Sequence, residues 1–290
     1  MKEPQREPTV PGAILNAIDP WLRAYGEKVM PAPTTRPRVR VVFNQKGGVG
    51  KTTLSVNLAS CAALAGRRTL LVDADPNANA TTHLLGPDNR AGRTLADFYE
   101  GCLGLNLFPQ TLADFITAPT AVKGLHLVAG DRRLDDLRPK LESRHKINRL
   151  RDGVPGVPYD QLFVDTPPVL DFFTLSCLIA ADEVIVPIDC DSFSVQAAQQ
   201  VQRAVQEIRQ DHNPRLRLAG VVVNQFQRGT RHAAQMVAEL RRVGLPVVEP
   251  FVPGSVKVRE SHTRKQPLVA AHADHPVAQA IKGVYRALDV

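Results

Sequence analysis

Cysteine is scarce in this 290-residue chain: Cys61, Cys102, Cys177 and Cys190, with no C-x-x-C spacing between them. That pattern gives no support for cysteine ligation of zinc or an iron–sulfur cluster, and it reads as reduced, mostly buried thiols in a cytosolic protein. Aromatic residues make up only 5% of the chain, with one tryptophan. Stacking on nucleic-acid bases is therefore not implied. No apolar run reaches the roughly 18 residues that a membrane span needs. The opening MKEPQREPTVPG has acids and prolines where a signal peptide would have an apolar core. Net charge is also missing from most of the chain. Residues 1–214 carry equal numbers of basic and acidic residues, and the whole excess of +7 lies in residues 215–290. An anionic partner is expected for that last quarter. With 43% hydrophobic and 22% charged residues the composition is that of an ordinary globular protein, which excludes disorder throughout.

Residues 1–37 are rich in proline and read as an extension outside the main fold. Within them Ile14, Ile18, Trp21, Leu22, Tyr25 and Val29 fall at helical spacing. An amphipathic helix over 12–30 is expected, packed on the domain's own surface or held for a partner. From residue 38 to 290 apolar strand-like runs alternate with helical patterns, which predicts one α/β domain. The strand runs are Val39–Phe43, Thr69–Val72, Leu125–Ala129, Leu162–Val164, Val184–Ile188, Leu218–Val223 and Val247–Phe251. Helices are expected over Thr53–Ala65, Asp135–Leu150, Phe172–Ala180, Ser194–Arg209, Arg231–Val243 and Val277–Leu288. Buried β-branched runs separated by helices predict a doubly wound, mostly parallel sheet with helices on both faces. Ligands of such sheets bind at the strands' C-terminal edge.

The first strand run leads directly into Asn44-Gln45-Lys46-Gly47-Gly48-Val49-Gly50-Lys51-Thr52-Thr53 and then a helix. Glycines let the backbone wrap phosphate oxygens closely, Lys51 offers a cation to the β/γ-phosphates, and Thr52 offers a hydroxyl to Mg²⁺. This is a P-loop NTPase signature for ATP and Mg²⁺. It departs from the general form in one respect: the glycine expected six residues before Lys51 is Gln45, and Lys46 follows it. The segment KGGVGKTT resembles the deviant Walker A motif of the ParA/MinD family of ATPases, closest to the ParA (Soj-like) partition proteins. The resemblance implies that Lys46 reaches across a dimer to the opposite subunit's phosphates, and that Lys46, Gly47, Gly48, Val49, Gly50, Lys51, Thr52 and Thr53 bind ATP.

Two further motifs carry the resemblance. The second strand run ends in Asp73-Ala74-Asp75-Pro76-Asn77-Ala78-Asn79-Ala80-Thr81, similar to the family's D-x-D-P-Q-x-N-A-T with Asn77 for the usual Gln. It implies that Asp75 positions the attacking water and that Asp73 supports the lysine and Mg²⁺ shell. The run Leu162–Val164 closes on Asp165-Thr166-Pro167-Pro168, the family's D-x-P-P, with Asp165 holding Mg²⁺ through a water opposite Thr52. Asn224, Val252 and Pro253 match positions where relatives contact adenine. Residues 86–124 diverge and contribute little.

The resemblance also implies a slow Mg-dependent ATPase that forms a homodimer with ATP and is stimulated by a ParB-like protein. The dimer is expected to bind double-stranded DNA without sequence preference. The basic residues expected to serve it are Arg228, Arg231, Lys257, Arg259, Arg264 and Lys265, through salt-sensitive phosphate contacts. The expected location is cytoplasmic and nucleoid-associated, without stable membrane association. A MinD-like membrane-surface or protein-cargo positioning ATPase is the alternative. A nitrogenase-iron-protein-like reductase would need paired cluster cysteines, and a non-hydrolysing adaptor would not need Lys46, Lys51, Asp75 and Asp165 together. The extension is too short for an N-terminal helix-turn-helix domain, so site-specific operator binding is not expected.

Overall fold

The computed structural model describes residues 36–87, 92–104, 110–191, 193–227 and 229–288. Except for Arg36 and Pro37, the N-terminal extension with its expected helix lies outside the described residues. So does Arg228. The strands are β1 (Arg38–Val42), β2 (Thr69–Asp73), β3 (Ala118–Pro119), β4 (Leu125–Val128), β5 (Gln161–Asp165), β6 (Glu183–Ile188), β7 (Arg217–Val223) and β8 (Val247–Val248). They form one sheet in the order β3-β4-β2-β5-β1-β6-β7-β8. Seven strands run parallel, and β3 pairs antiparallel with β4 at the edge.

Most positions of the runs are apolar, with buried Arg40 in β1 an exception, because helices cover both faces, and alternation assigns each side chain to a face. Val39, Val41, Leu70, Val72, Leu162, Val164, Val184, Val186, Val221 and Val223 enter one core. Val42, Leu71, Phe163, Ile185 and Val222 enter the other. The first core is closed by α3 (Leu95–Glu100), α4 (Arg133–Ser143), α5 (Arg149–Gly153), α6 (Phe172–Ala180), α7 (Ser194–Asp211) and α8 (Arg231–Arg242). The second is closed by α1 (Lys51–Leu64), α2 (Asn79–Leu85), α10 (Leu268–Ala271) and α11 (Pro276–Leu288). The helix α9 (Val256–Thr263) packs on α2 and α10.

Two expectations are corrected. The helix over Asp135–Leu150 is two helices, because His145 takes φ 53° and the Lys146 amide turns back to the Leu141 carbonyl. The strand expected over Val247–Phe251 stops at Val248. Pro250 has no N–H to continue a ladder, and pairing resumes only where Val252 donates to the Val223 carbonyl. The divergent 86–124 region is not a bare loop in the part described. It supplies Leu95, Phe98, Tyr99, Leu112 and Phe115 to the first core. Among the described residues no helix is long and apolar enough to cross a membrane.

Candidate nucleotide site

Register brings the expected groups together. Val42 of β1 and Asp73 of β2 both pair with Asp165 of β5, so three adjacent strands end level. The loop after β1 therefore leaves the sheet beside Asp165, itself paired with Asp73. Asn44 anchors that loop: its Nδ2 donates to the Pro187 carbonyl at 2.7 Å and its Oδ1 accepts from the Lys46 amide at 3.0 Å. Gly50 takes φ 89° and caps α1, a conformation that costs an L-residue with a Cβ roughly 1–2 kcal/mol. The space above Gly47 and Gly48 is open, with nothing within 4 Å of where a Cβ would stand. Loop amides and the N-terminus of α1 therefore border a cradle suited to phosphate.

The cations and carboxylates are placed around it. Lys51 is 8% exposed, and its Nζ donates to the Lys46 carbonyl at 3.0 Å. Burial holds its pKa below the usual lysine value, against the pull of Asp165 and Asp75. Asp165 is fully buried and accepts from Thr52 Oγ1 at 2.7 Å and Ser55 Oγ at 2.8 Å. Burial first, then the neighbouring Asp73, pushes Asp165 up to about 7. Asp73, also fully buried, is pushed up to about 6 by the same loss of water. It accepts from the Thr81 amide and hydroxyl and from the Asp75 amide. Asp75 is 4% exposed, and its Oδ1 accepts from the Asn77 amide and side chain. Two raised carboxylates beside a hydroxyl are an oxygen-only set that a hard cation would hold ionised, as Mg²⁺ does. The residues present fit ATP and Mg²⁺.

Lys46 is held within its own chain. Its Nζ lies 2.8 Å from both carboxylate oxygens of Asp189 and 2.9 Å from Asp191. These two acids raise the lysine pKa, although burial pulls it down. Ser194 Oγ fixes Asp189 in turn, at 2.7 Å. Beside Lys46 lies a cleft of about 350 Å³, lined by Gln45, Lys46, Phe193, Gln196, Ala197 and Gln200. Phe193 is 67% exposed there.

Asn224 is placed against the loop, with its Nδ2 donating to the Val49 carbonyl at 2.8 Å. Its neighbour Gln225 donates to the Gly48 carbonyl. The Phe226 amide donates to the Val252 carbonyl, and Phe226 bridges to Pro253, which brings Val252 and Pro253 to the same end of the sheet. The expected basic set is divided. Lys257, Arg259, Arg264 and Lys265 lie on α9 and its C-terminal turn, and Lys257 pairs with Glu260 at 2.7 Å. Arg231 opens α8, on the opposite face of the sheet.

Asn44, Ser55, Asp189, Asp191, Gln225 and His262 were not singled out from the sequence. For Asp189 and Asp191 a signal was present: the run VIVPI ends in Asp-Cys-Asp, acids at a strand's C-terminal end like Asp73 and Asp165.

A protein-family profile described as "AAA domain" matches residues 37–218. A second, described as "4Fe-4S iron sulfur cluster binding proteins, NifH/frxC family", matches residues 173–289. Of the two cysteines in that second span, Cys177 is wholly buried in the first core, where burial pushes its thiol well up. The chain is 32% identical over 238 residues to the chromosome partitioning protein ParA of Caulobacter vibrioides, covering 80% of this chain and 86% of the relative. It is 34% identical over 229 residues to the chromosome-partitioning ATPase Soj of Thermus thermophilus, covering 78% and 86%. Among solved structures it resembles cobyrinic acid a,c-diamide synthase from Mycobacterium smegmatis with bound ATP analogue and magnesium. That match has a TM-score of 0.73 at 26% identity and covers 87% of this chain and 94% of the other.

Proposed function

The chain belongs to the ParA/Soj family of chromosome-partitioning ATPases, and on that premise we propose that its ATP-bound dimer binds DNA without sequence preference and is released by hydrolysis. The protein is an ATPase that uses ATP and Mg²⁺. Mg²⁺, when bound, neutralises charge on the phosphate oxygens, and Thr52 and Asp165 are the residues that would hold it. Lys51 and the loop amides bind and orient the phosphates. Asp75, fixed by Asn77 at the end of β2, is the group proposed to orient the attacking water. Asp73 holds the Thr81 turn in place.

One observation carries the switch: Lys46 is neutralised within its own chain by Asp189 and Asp191. Its proposed role toward a second subunit's phosphates requires those contacts to open. The cleft and exposed Phe193 beside it form the proposed meeting surface for the second copy. Asn224, Val252 and Pro253 are proposed to border the adenine. The exposed residues Arg259, Arg264 and Lys265, with Lys257, form the proposed DNA surface on α9. Arg231, at the start of α8, belongs to a second patch of it, and Arg228, outside the described residues, is proposed as a DNA contact from the sequence alone. A ParB-like protein is the proposed activator, and the nucleoid the proposed place of action.

The test is DNA co-sedimentation of wild type, Lys51→Ala and Asp75→Ala without nucleotide and with ADP, ATP or a slowly hydrolysed analogue. Asp75→Ala is expected to stay on DNA longer with ATP, and Lys51→Ala is expected not to bind. Equal binding by all three in every nucleotide state would refute the switch. Raising salt should weaken binding steeply if phosphate contacts dominate.

A further inference from the structure

The basic helix α9 touches the nucleotide loop's own helix through one side chain that the proposed mechanism does not use. His262 lies on α9 between Arg259 and Arg264, and its Nε2 is hydrogen-bonded to Thr53 Oγ1 at 3.2 Å. Thr53 stands on the first turn of α1, next to Thr52. The same imidazole stacks on His83 of α2, with ring centroids 4.0 Å apart and planes 29° apart. His83 is 2% exposed. It follows Thr81 by two residues, and Thr81 is bound to Asp73. A second contact joins the same two helices farther along: the Lys265 side chain lies over Gly86 at the end of α2, where a Cβ would stand 2.3 Å from its Nζ. The arms that hold α9 thus reach back to both phosphate-site motifs.

The chemistry of the pair suits a contact that is directional without being charged. Burial lowers the pKa of both imidazoles, and His262 lowers that of His83 further. The rings therefore stack as neutral groups, and the one polar bond they make to α1 is to a single hydroxyl. A ligand that settles in the loop and engages Thr53 changes the bond that this hydroxyl makes to His262. Coupling of this kind needs a physical contact whose arrangement both sites bias, and Thr53–His262 is such a contact.

We propose that His262 is a positioning residue that couples the nucleotide loop to α9, so that loop occupancy sets how Lys257, Arg259, Arg264 and Lys265 are presented. Its consequence for DNA rests on the reading of α9 as part of the DNA surface. The coupling itself does not.

The experiment uses the full chain, with hydrogen–deuterium exchange of residues 256–265 followed with and without Mg·ADP. In wild type the exchange of this segment should change about tenfold on adding Mg·ADP, the scale of an ordinary coupling free energy. His262→Phe keeps a ring to stack on His83 and removes the bond to Thr53, so the change should vanish while the loop over 46–53 remains protected by Mg·ADP. His262→Gln restores a polar atom within reach of Thr53 and should recover much of the change. A His262→Phe protein that keeps the full Mg·ADP response overturns the proposal, as does a wild type with no response in this segment. Loss of Mg·ADP binding by His262→Phe also counts against it, since His262 would then belong to the binding site itself. In parallel, the ratio of DNA affinity with an ATP analogue to that without nucleotide should fall about tenfold in His262→Phe. If wild type binds no DNA, the DNA reading fails, and the exchange measurement still decides the coupling.

Discussion

Gly50 shows how little freedom a single residue of the site has. Its φ of 89° is one penalty for any other side chain, and a Cβ there would stand 2.2 Å from Asn224 Nδ2. Asn224 cannot yield without giving up its bond to the Val49 carbonyl. Gly50→Ala is therefore expected to weaken binding of a fluorescent ADP analogue at least tenfold, with the far-ultraviolet circular dichroism unchanged. The two penalties together exceed the roughly 1.4 kcal/mol that tenfold requires. Lys46 illustrates the opposite limit of legibility. KGGVGKTT marks the residue in the sequence, but its partners Asp189 and Asp191 lie about 140 residues away and meet it only because β1 and β6 are neighbours.

At the scale of elements, α9 and α2 are short and polar, with too few turns for hydrophobic periodicity to announce them. The two helices meet at the histidine pair, and the pair carries a pH dependence. His83 is held down to about 4, by burial first and His262 second, while the nearby Gln266 backbone pulls the other way. The Thr53 hydroxyl of α1 also faces the pair. A histidine whose folded pKa lies below its unfolded value of about 6.5 contributes stability that is present above that value and is lost as pH falls toward the folded one. Asp73 and Asp165, raised by burial, titrate in the same window with the opposite sign, so the pair's share is read against a His83→Phe variant: between pH 7.5 and pH 5 wild type should lose about 1–2 kcal/mol more in urea unfolding than that variant. An equal pH dependence in the two proteins would rule the pair out as its source.

Over the whole molecule, charge is sorted by position more than by sequence. The +7 of residues 215–290 does not form one face. Arg217 pairs with Glu183, Arg241 with Glu249 and Arg242 with Glu239. Only part of the excess therefore lies on α9 and its following turn. At the other edge of the sheet Glu183, 1% exposed, is shared by Arg38, Arg40 and Arg217, and Arg40 also donates to the Leu288 carbonyl of α11 and to Gln161. This cluster ties four strands and the last helix together far from the phosphate loop. Removing the shared carboxylate leaves buried guanidinium charge uncompensated, which costs about 3–5 kcal/mol. Glu183→Ala is expected to lower the unfolding free energy by that amount in urea titrations. Affinity for Mg·ADP, measured below the new transition, should stay within about threefold.

The sequence by itself determined the sheet and the phosphate site, because both are written locally. The central strands are mostly apolar runs, and each of the three motifs places its chemistry at the end of one such run, so strand direction alone brings Lys51, Thr52, Asp73, Asp75 and Asp165 to a common edge. Only the tertiary structure decided what those groups touch. Asp189 on Lys46, Asn224 on Val49, Ser55 on Asp165 and His262 on Thr53 are contacts between segments distant in the chain. They exist because strand order and helix packing, not spacing, set which side chains meet. The helix break at His145 and the early end of β8 were decided the same way, by a left-handed turn and a missing amide that apolar pattern does not record.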